Sequence, residues 1–127
     1  MSDGAPGSVF LVTVIDDDES VRESLPALLG VLGYETEAFD SAEAFLASGN
    51  LADTCCLIVD VMLPGLTGPD LQRRLIREGR ALPTIFITAL SEQSIPADLL
   101  QQGAIDCLFK PFSEQDLRDA LDAALVR

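Results

Sequence analysis

The sequence predicts a single α/β domain, a doubly wound (βα)5 three-layer sandwich whose parallel sheet has the order 2-1-3-4-5. Three observations lead there. Five short apolar runs alternate with helix-forming stretches through short connections. Several runs are apolar at nearly every position, as strands covered on both faces must be. A chain of 127 residues is also the size of one domain that buries a core without disulfides. Right-handed crossovers then wind the helices onto both faces of the sheet.

Residues 1–8 are small and polar and are expected to form a flexible tail ahead of a folded domain over 9–127. Val9–Ile15 is the first strand. Val21, Leu25, Leu28, Leu29 and Leu32 recur at helical spacing, and Gly33 stops that helix. Pro26 lies inside it, where a lost hydrogen bond should kink the helix at a cost of roughly 3 kcal/mol. Tyr34–Phe39 is the second strand. Asp40 or Ser41 caps a short helix, with Glu43 placed three residues after Asp40 as in a capping box. Cys55–Asp60 is the third strand, residues 61–68 are a turn-rich loop, and Pro69 suits the first turn of the third helix. Thr84–Thr88 is the fourth strand. A loop over 90–95 and Pro96 delay the fourth helix, which ends near Gln102 and Gly103. Asp106–Phe109 is the fifth strand. Ser113 caps a last helix with Leu117, Ala120, Leu121, Ala124 and Leu125 on one stripe.

Composition excludes several functions. The net charge is −13, from 21 acidic and 8 basic residues, which repels phosphate backbones and argues against direct nucleic-acid binding by this chain. The apolar runs are too short to span a bilayer, and no secretory signal precedes them, so a cytoplasmic protein without membrane association is expected. Three cysteines without any histidine make a zinc site a poor reading and suit reduced core residues. The same lack of histidine leaves no parts for a Ser/His/Asp triad.

The acids that do not read as solvated helix faces sit at strand ends. Asp16, Asp17 and Asp18 follow the first apolar run, Asp60 ends the third, Thr88 ends the fourth, and Lys110 with Pro111 follows the fifth. Parallel strands bring these ends to one edge, where open α/β sheets place their ligand crevice. Singly, each residue has an ordinary explanation: Thr88 as a β-former, Lys110 as a surface charge, Asp60 as a loop cap. Together they form an acidic crevice with one hydroxyl and one ammonium group. A dinucleotide or flavin fits poorly, because three aspartates stand where a glycine-rich phosphate loop is needed. Like-charge repulsion among Asp16, Asp17 and Asp60 is best relieved by a hard divalent cation with oxygen ligands, Mg²⁺ or Mn²⁺. Asp60 is then a carboxylate nucleophile able to form an acyl phosphate, with Thr88 and Lys110 stabilising charge on the transferring oxygens.

At these residues the chain resembles the response-regulator receiver domain of two-component signalling, a CheY-like, flavodoxin-like fold. The resemblance rests on Ile15-Asp16-Asp17, on the stretch from Val59-Asp60 through Met62, Pro64 and Gly68, on Ile87-Thr88-Ala89 and on Phe109-Lys110-Pro111-Phe112. Val21-Arg22-Glu23-Ser24-Leu25 and the run from Phe39 to Leu46 are most similar to the FixJ group. The resemblance implies that Asp60 accepts a phosphoryl group from a sensor histidine kinase. It implies Mg²⁺ ligation by Asp17, Asp60 and the Met62 carbonyl, with Asp16 acting mostly through water. It implies movement of Thr88 toward the phosphoryl group, pairing of that group with Lys110, a cis Lys110–Pro111 bond, and Ala89 as the small residue beside the phosphoryl oxygens. The chain would then be a signalling switch, with self-directed phosphotransfer and slow autodephosphorylation in place of enzyme turnover. Phosphorylation-dependent homodimerisation through the fourth helix, fifth strand and fifth helix is expected, and so is control of transcription through a DNA-binding domain outside this chain.

One position departs from the family. Three residues before Lys110, where an aromatic ring usually turns inward, stands Cys107. The switch is therefore expected to run through the 90–95 loop and the fourth helix, with Phe109 as substitute. Met62 and Leu90, each two residues past a site residue, are bulky and apolar and should make the acyl phosphate long-lived. Three other readings remain: a stand-alone response regulator, a degenerate receiver acting as an interaction module, and a metal-dependent phosphatase. The last would want an aspartate where Met62 sits.

Overall fold

The computed structural model describes residues 10–89 and 103–125. The tail over 1–8, Leu90, the 90–95 loop and the helix predicted to end near Gln102 lie outside the described residues. Within them run β1 (Leu11–Ile15), α1 (Glu19–Val31), β2 (Glu35–Phe39), α2 (Ala42–Ser48), a 3-10 turn (Leu51–Asp53), β3 (Thr54–Asp60), α3 (Gly68–Arg77), β4 (Thr84–Thr88), β5 (Asp106–Phe109) and α4 (Glu114–Leu125). The last is the fifth helix of the sequence reading.

The strands form one sheet of order β2-β1-β3-β4-β5 with every neighbour parallel, as predicted. Alternate residues of each strand feed two cores. Val12, Val14, Ile58, Ile85 and Ile87 pack with Leu25 and Leu29 of α1 and Leu117 and Leu121 of α4. Ile15, Leu57, Val59 and Phe86 pack on the other face with Phe45 of α2 and Leu71 and Leu75 of α3. Central β3 is buried almost throughout, which is why its sequence shows no period of two.

Element boundaries shift where a backbone group is used elsewhere. β2 begins at Glu35 because the Tyr34 N–H closes the end of α1 on the Leu29 carbonyl at 3.0 Å. β3 begins at Thr54, one residue earlier than predicted. The Thr54 hydroxyl donates to the Asn50 carbonyl at 2.9 Å and meets the Thr13 hydroxyl at 2.8 Å, satisfying a buried polar pair. β1 starts at Leu11, although the Phe10 carbonyl still accepts the Glu35 N–H at 3.0 Å.

The helix caps hold one correction. Asp18 caps α1, accepting from the Ser20 N–H at 2.9 Å. Ser41, not Asp40, caps α2, accepting the Ala44 N–H at 3.0 Å. The capping box expected from Glu43 does not form, because with Ser41 as the cap Glu43 stands at the second helical position rather than the third, and its carboxylate accepts the Leu66 N–H at 2.9 Å. Ser113 caps α4 as predicted, and Asp116 answers it, accepting the Ser113 N–H at 3.3 Å. Thr67 caps α3 and places Pro69 in its first turn.

Helix α1 continues through Pro26 without division. It also contains Gly30, where a Cβ would meet no atom within 4 Å. A helix-interior glycine with that much room is a removable entropic cost. Gly30→Ala is therefore expected to raise the unfolding free energy by roughly 0.5–1 kcal/mol in urea denaturation. An unchanged or lower midpoint would contradict it.

Candidate functional site

The carboxyl ends of β1, β3, β4 and β5 converge as the topology requires. Asp16 directly follows β1, Asp60 is the last residue of β3, Thr88 is the last of β4, and Lys110 follows β5. Asp16 and Thr88 are 0% exposed and Asp60 7%, whereas Asp17 is exposed. One carboxylate oxygen from each of Asp16, Asp17 and Asp60 lies within 4.8 Å of the others.

Lys110 joins the two buried carboxylates. Its Nζ donates to Asp60 Oδ2 at 3.1 Å and lies 2.9 Å from Asp16 Oδ2. The second contact is a charged pair within hydrogen-bond distance, so the fully buried Asp16 Oδ2 is held by the Lys110 ammonium. Its other oxygen accepts the Asp18 N–H at 2.9 Å. Asp60 Oδ1 accepts the Met62 N–H at 2.8 Å. Burial raises the pKa of Asp16, helped by the nearby Asp60 charge and opposed chiefly by the Lys110 ammonium. Burial works to lower the pKa of Lys110, but its contacts with Asp16 and Asp60 outweigh that and hold it above the ordinary value.

Three carboxylates with oxygens this close together fit a divalent cation with oxygen ligands. Asp16, Asp17 and Asp60 are the residues able to hold one.

Three residues that the strand-end pattern did not single out shape the site. Arg22 donates from Nη1 to the Asp16 carbonyl at 3.0 Å and so ties α1 to the β1–α1 turn. Its signal was available, since a cation in the first turns of a helix opposes the macrodipole and asks for a local reason. Gly68 lies beneath Asp60, where a Cβ would stand 2.6 Å from the Asp60 carbonyl oxygen and 3.1 Å from Phe86. Glu43 reaches the β3–α3 loop, as described above.

The remaining predicted positions are accounted for as follows. The Lys110–Pro111 bond is cis, and the Lys110 N–H donates to the Thr88 carbonyl at 2.7 Å. Met62 is 61% exposed and Phe109 38%, and Ala89 is exposed beside Thr88. Cys107 packs partly buried against the α2–α3 core, and burial pushes its thiol up to about 11. Cys56 is buried deeper and its thiol lies at about 12; all three cysteines are free. Beside the site a groove of about 470 Å³ opens between α1 and the segment after β5, lined by Val21, Ser24, Leu25, Leu28, Pro111 and Phe112 among others. Among the described residues no helix is long and apolar enough to cross a membrane.

The chain belongs to the response regulator receiver domain family, whose model matches residues 12–122. It is 43% identical over 117 residues to nodulation protein W of Bradyrhizobium diazoefficiens, a match covering 92% of this chain and 52% of that protein. Among solved structures it is similar to the response regulator StyR, with a TM-score of 0.85, 40% identity and coverage of 93% of this chain and 60% of that one. It is also similar to FixJ-N, with a TM-score of 0.78, 32% identity and coverage of 91% and 92%. The chain thus spans about half the length of the curated relatives it matches.

The electrostatics of Asp16 give a pH-dependent test. In Lys110→Met the ammonium no longer opposes burial, so the Asp16 carboxyl rises further. A carboxyl whose folded pKa exceeds its unfolded one, near 3.9, favours folding fully below the unfolded value and loses that contribution as pH rises through the folded one. The stability gap between the wild type and Lys110→Met in metal-free buffer should therefore widen from about pH 4 to 7. A gap of constant size in urea denaturation would refute this.

Proposed function

We propose that this chain is an active phosphoacceptor switch in which Asp60 takes a phosphoryl group from a sensor histidine kinase in the presence of Mg²⁺. The observation that carries this reading is the Asp60 carboxylate itself. It sits between two further carboxylates and the Lys110 ammonium, with one oxygen held by a backbone N–H. An Asp60 oxygen attacks phosphorus, the new O–P bond forms, and the N–P bond to the kinase imidazole breaks with its electron pair leaving on nitrogen. A carboxylate is already ionised at neutral pH, so no general base is required.

Asp17, Asp60 and the Met62 carbonyl would hold the metal, with Asp16 acting through water. Its chemistry would be to neutralise the acidic cluster and the equatorial phosphoryl oxygens. Lys110 exchanges its contact with Asp60 for the phosphoryl group, and the Thr88 hydroxyl moves toward it. Ala89 leaves room beside the phosphoryl oxygens. The apolar groove along α1 reaches Lys110 and offers a docking surface next to Asp60 for the kinase.

Downstream, the family's aromatic relay is replaced by Cys107, so the switch runs through the 90–95 loop and the helix after it, with Phe109 exposed on β5 as a substitute ring. Dimerisation through that helix, β5 and α4 would pass the signal on. Several matched relatives are named transcriptional regulatory proteins, and we infer a transcriptional output from a domain outside this chain, in a cytoplasmic protein.

Acetyl phosphate with Mg²⁺ is expected to produce a phosphoryl adduct on intact mass that is absent in Asp60→Ala. No adduct would leave only an interaction module, and turnover of added phosphoesters would point to a phosphatase. Met62 and Leu90, each two residues past a site residue in the sequence, are bulky and apolar side chains that would hinder an attacking water. Decay of the acyl phosphate in the purified protein should therefore take minutes or longer, and a half-life of seconds would overturn that part of the reading.

A further inference from the structure

The loop between β3 and α3 carries Met62, and its conformation is held at four places. Val61 donates its N–H to the Ile87 carbonyl at 2.9 Å, Met62 to Asp60 Oδ1 at 2.8 Å and Gly68 to the Val61 carbonyl at 3.4 Å. The fourth tie comes from outside the loop. Glu43, on α2 and 23 residues earlier in the chain, accepts the Leu66 N–H on Oε2 at 2.9 Å.

Two further observations bear on that tie. Gly65 has φ +72, and a Cβ there would lie 2.7 Å from the same Oε2. The Glu43 carboxylate thus occupies the space that the missing side chain leaves. The Leu66 N–H, and then its own backbone amide, hold the Glu43 carboxyl below the usual range even though the side chain is fully exposed. An exposed glutamate contributes no core packing, and near the start of α2 it would ordinarily fold back on its own helix end. Here it spans to a neighbouring element instead.

We propose that Glu43 is a positioning residue for the metal site: by tying Leu66 to α2 and filling the space over Gly65, it holds the β3–α3 loop from which the Met62 carbonyl would serve the metal. The proposal rests on the reading of that carbonyl as a metal ligand. A residue that touches only the support of a metal ligand acts on affinity through the ligand it orients.

The test is Mn²⁺ titration by calorimetry of the wild type, Glu43→Gln, Glu43→Ala and Asp17→Ala, alongside amide hydrogen exchange at Leu66. Asp17→Ala should abolish binding. Glu43→Ala should weaken it roughly tenfold and lose protection at Leu66, while its metal-free urea midpoint moves little. Glu43→Gln, which keeps an acceptor oxygen without the charge, should stay within about twofold of the wild type because an orienting hydrogen bond is retained. Equal losses in Gln and Ala would assign the effect to charge and overturn the strap. Wild-type affinity in Glu43→Ala would overturn it as well, with the metal site left intact. Absence of Mn²⁺ binding by the wild type would bring down the metal reading and the strap together.

Discussion

Repulsion confined to one sheet edge is the constraint on which this molecule turns. Parallel strands with right-handed crossovers leave no freedom over where their carboxyl ends go, so an aspartate after β1 and another ending β3 must meet. Two of the three acids are buried, where water cannot screen them. Among the described residues Lys110, which follows β5, is the cation that reaches both. The pKa of Asp16 lies above its ordinary value even with that lysine beside it. Three carboxylates against one ammonium leave the cluster net negative, an excess that a divalent cation would offset.

Everything around the edge serves to hold charged groups still. The two cores clamp the sheet from both sides, with α1 and α4 on one face and α2 and α3 on the other, so the strand ends inherit the rigidity of close-packed side chains. The connecting loops are restrained by polar contacts. Asp18 caps α1 and donates its N–H to Asp16, Arg22 grips the Asp16 carbonyl, and Glu43 grips Leu66. Gly68 lets α3 begin directly under Asp60, where a side chain would collide with the strand. A site whose chemistry is mostly positioning needs such supports.

Cys107 marks where this chain parts from the usual arrangement of its family. The position faces the α2–α3 core, but it carries a small thiol whose raised pKa keeps it protonated and unreactive at neutral pH. Phe109, two residues on and so on the same side of the strand, is a partly exposed ring. The departure lies on β5, outside the cluster of Asp16, Asp17, Asp60 and Lys110, which keeps all its residues.

Much of this was legible before any coordinates. β4 and β5 fall on their predicted residues and the others within two of them, because apolar runs, glycine stops and serine caps are local signals that tertiary packing reinforces. The site was legible for a topological reason, since strand-terminal residues of a parallel sheet can be grouped without knowing any distance. Contacts between distant segments were not legible. Glu43 reads locally as half of a capping box, and nothing within several residues of it reveals that Leu66 offers a better donor. Tyr34 reads as a strand residue until the end of α1 takes its N–H. The sequence by itself determined the fold and the acidic cluster and marked Asp60 as the candidate phosphoacceptor, since residue type and strand position suffice for those. Tertiary structure alone decided that Lys110 bridges Asp16 and Asp60, and that α2 reaches over to hold the loop beside the site. Those depend on angles and on competition between donors, which only the assembled chain resolves.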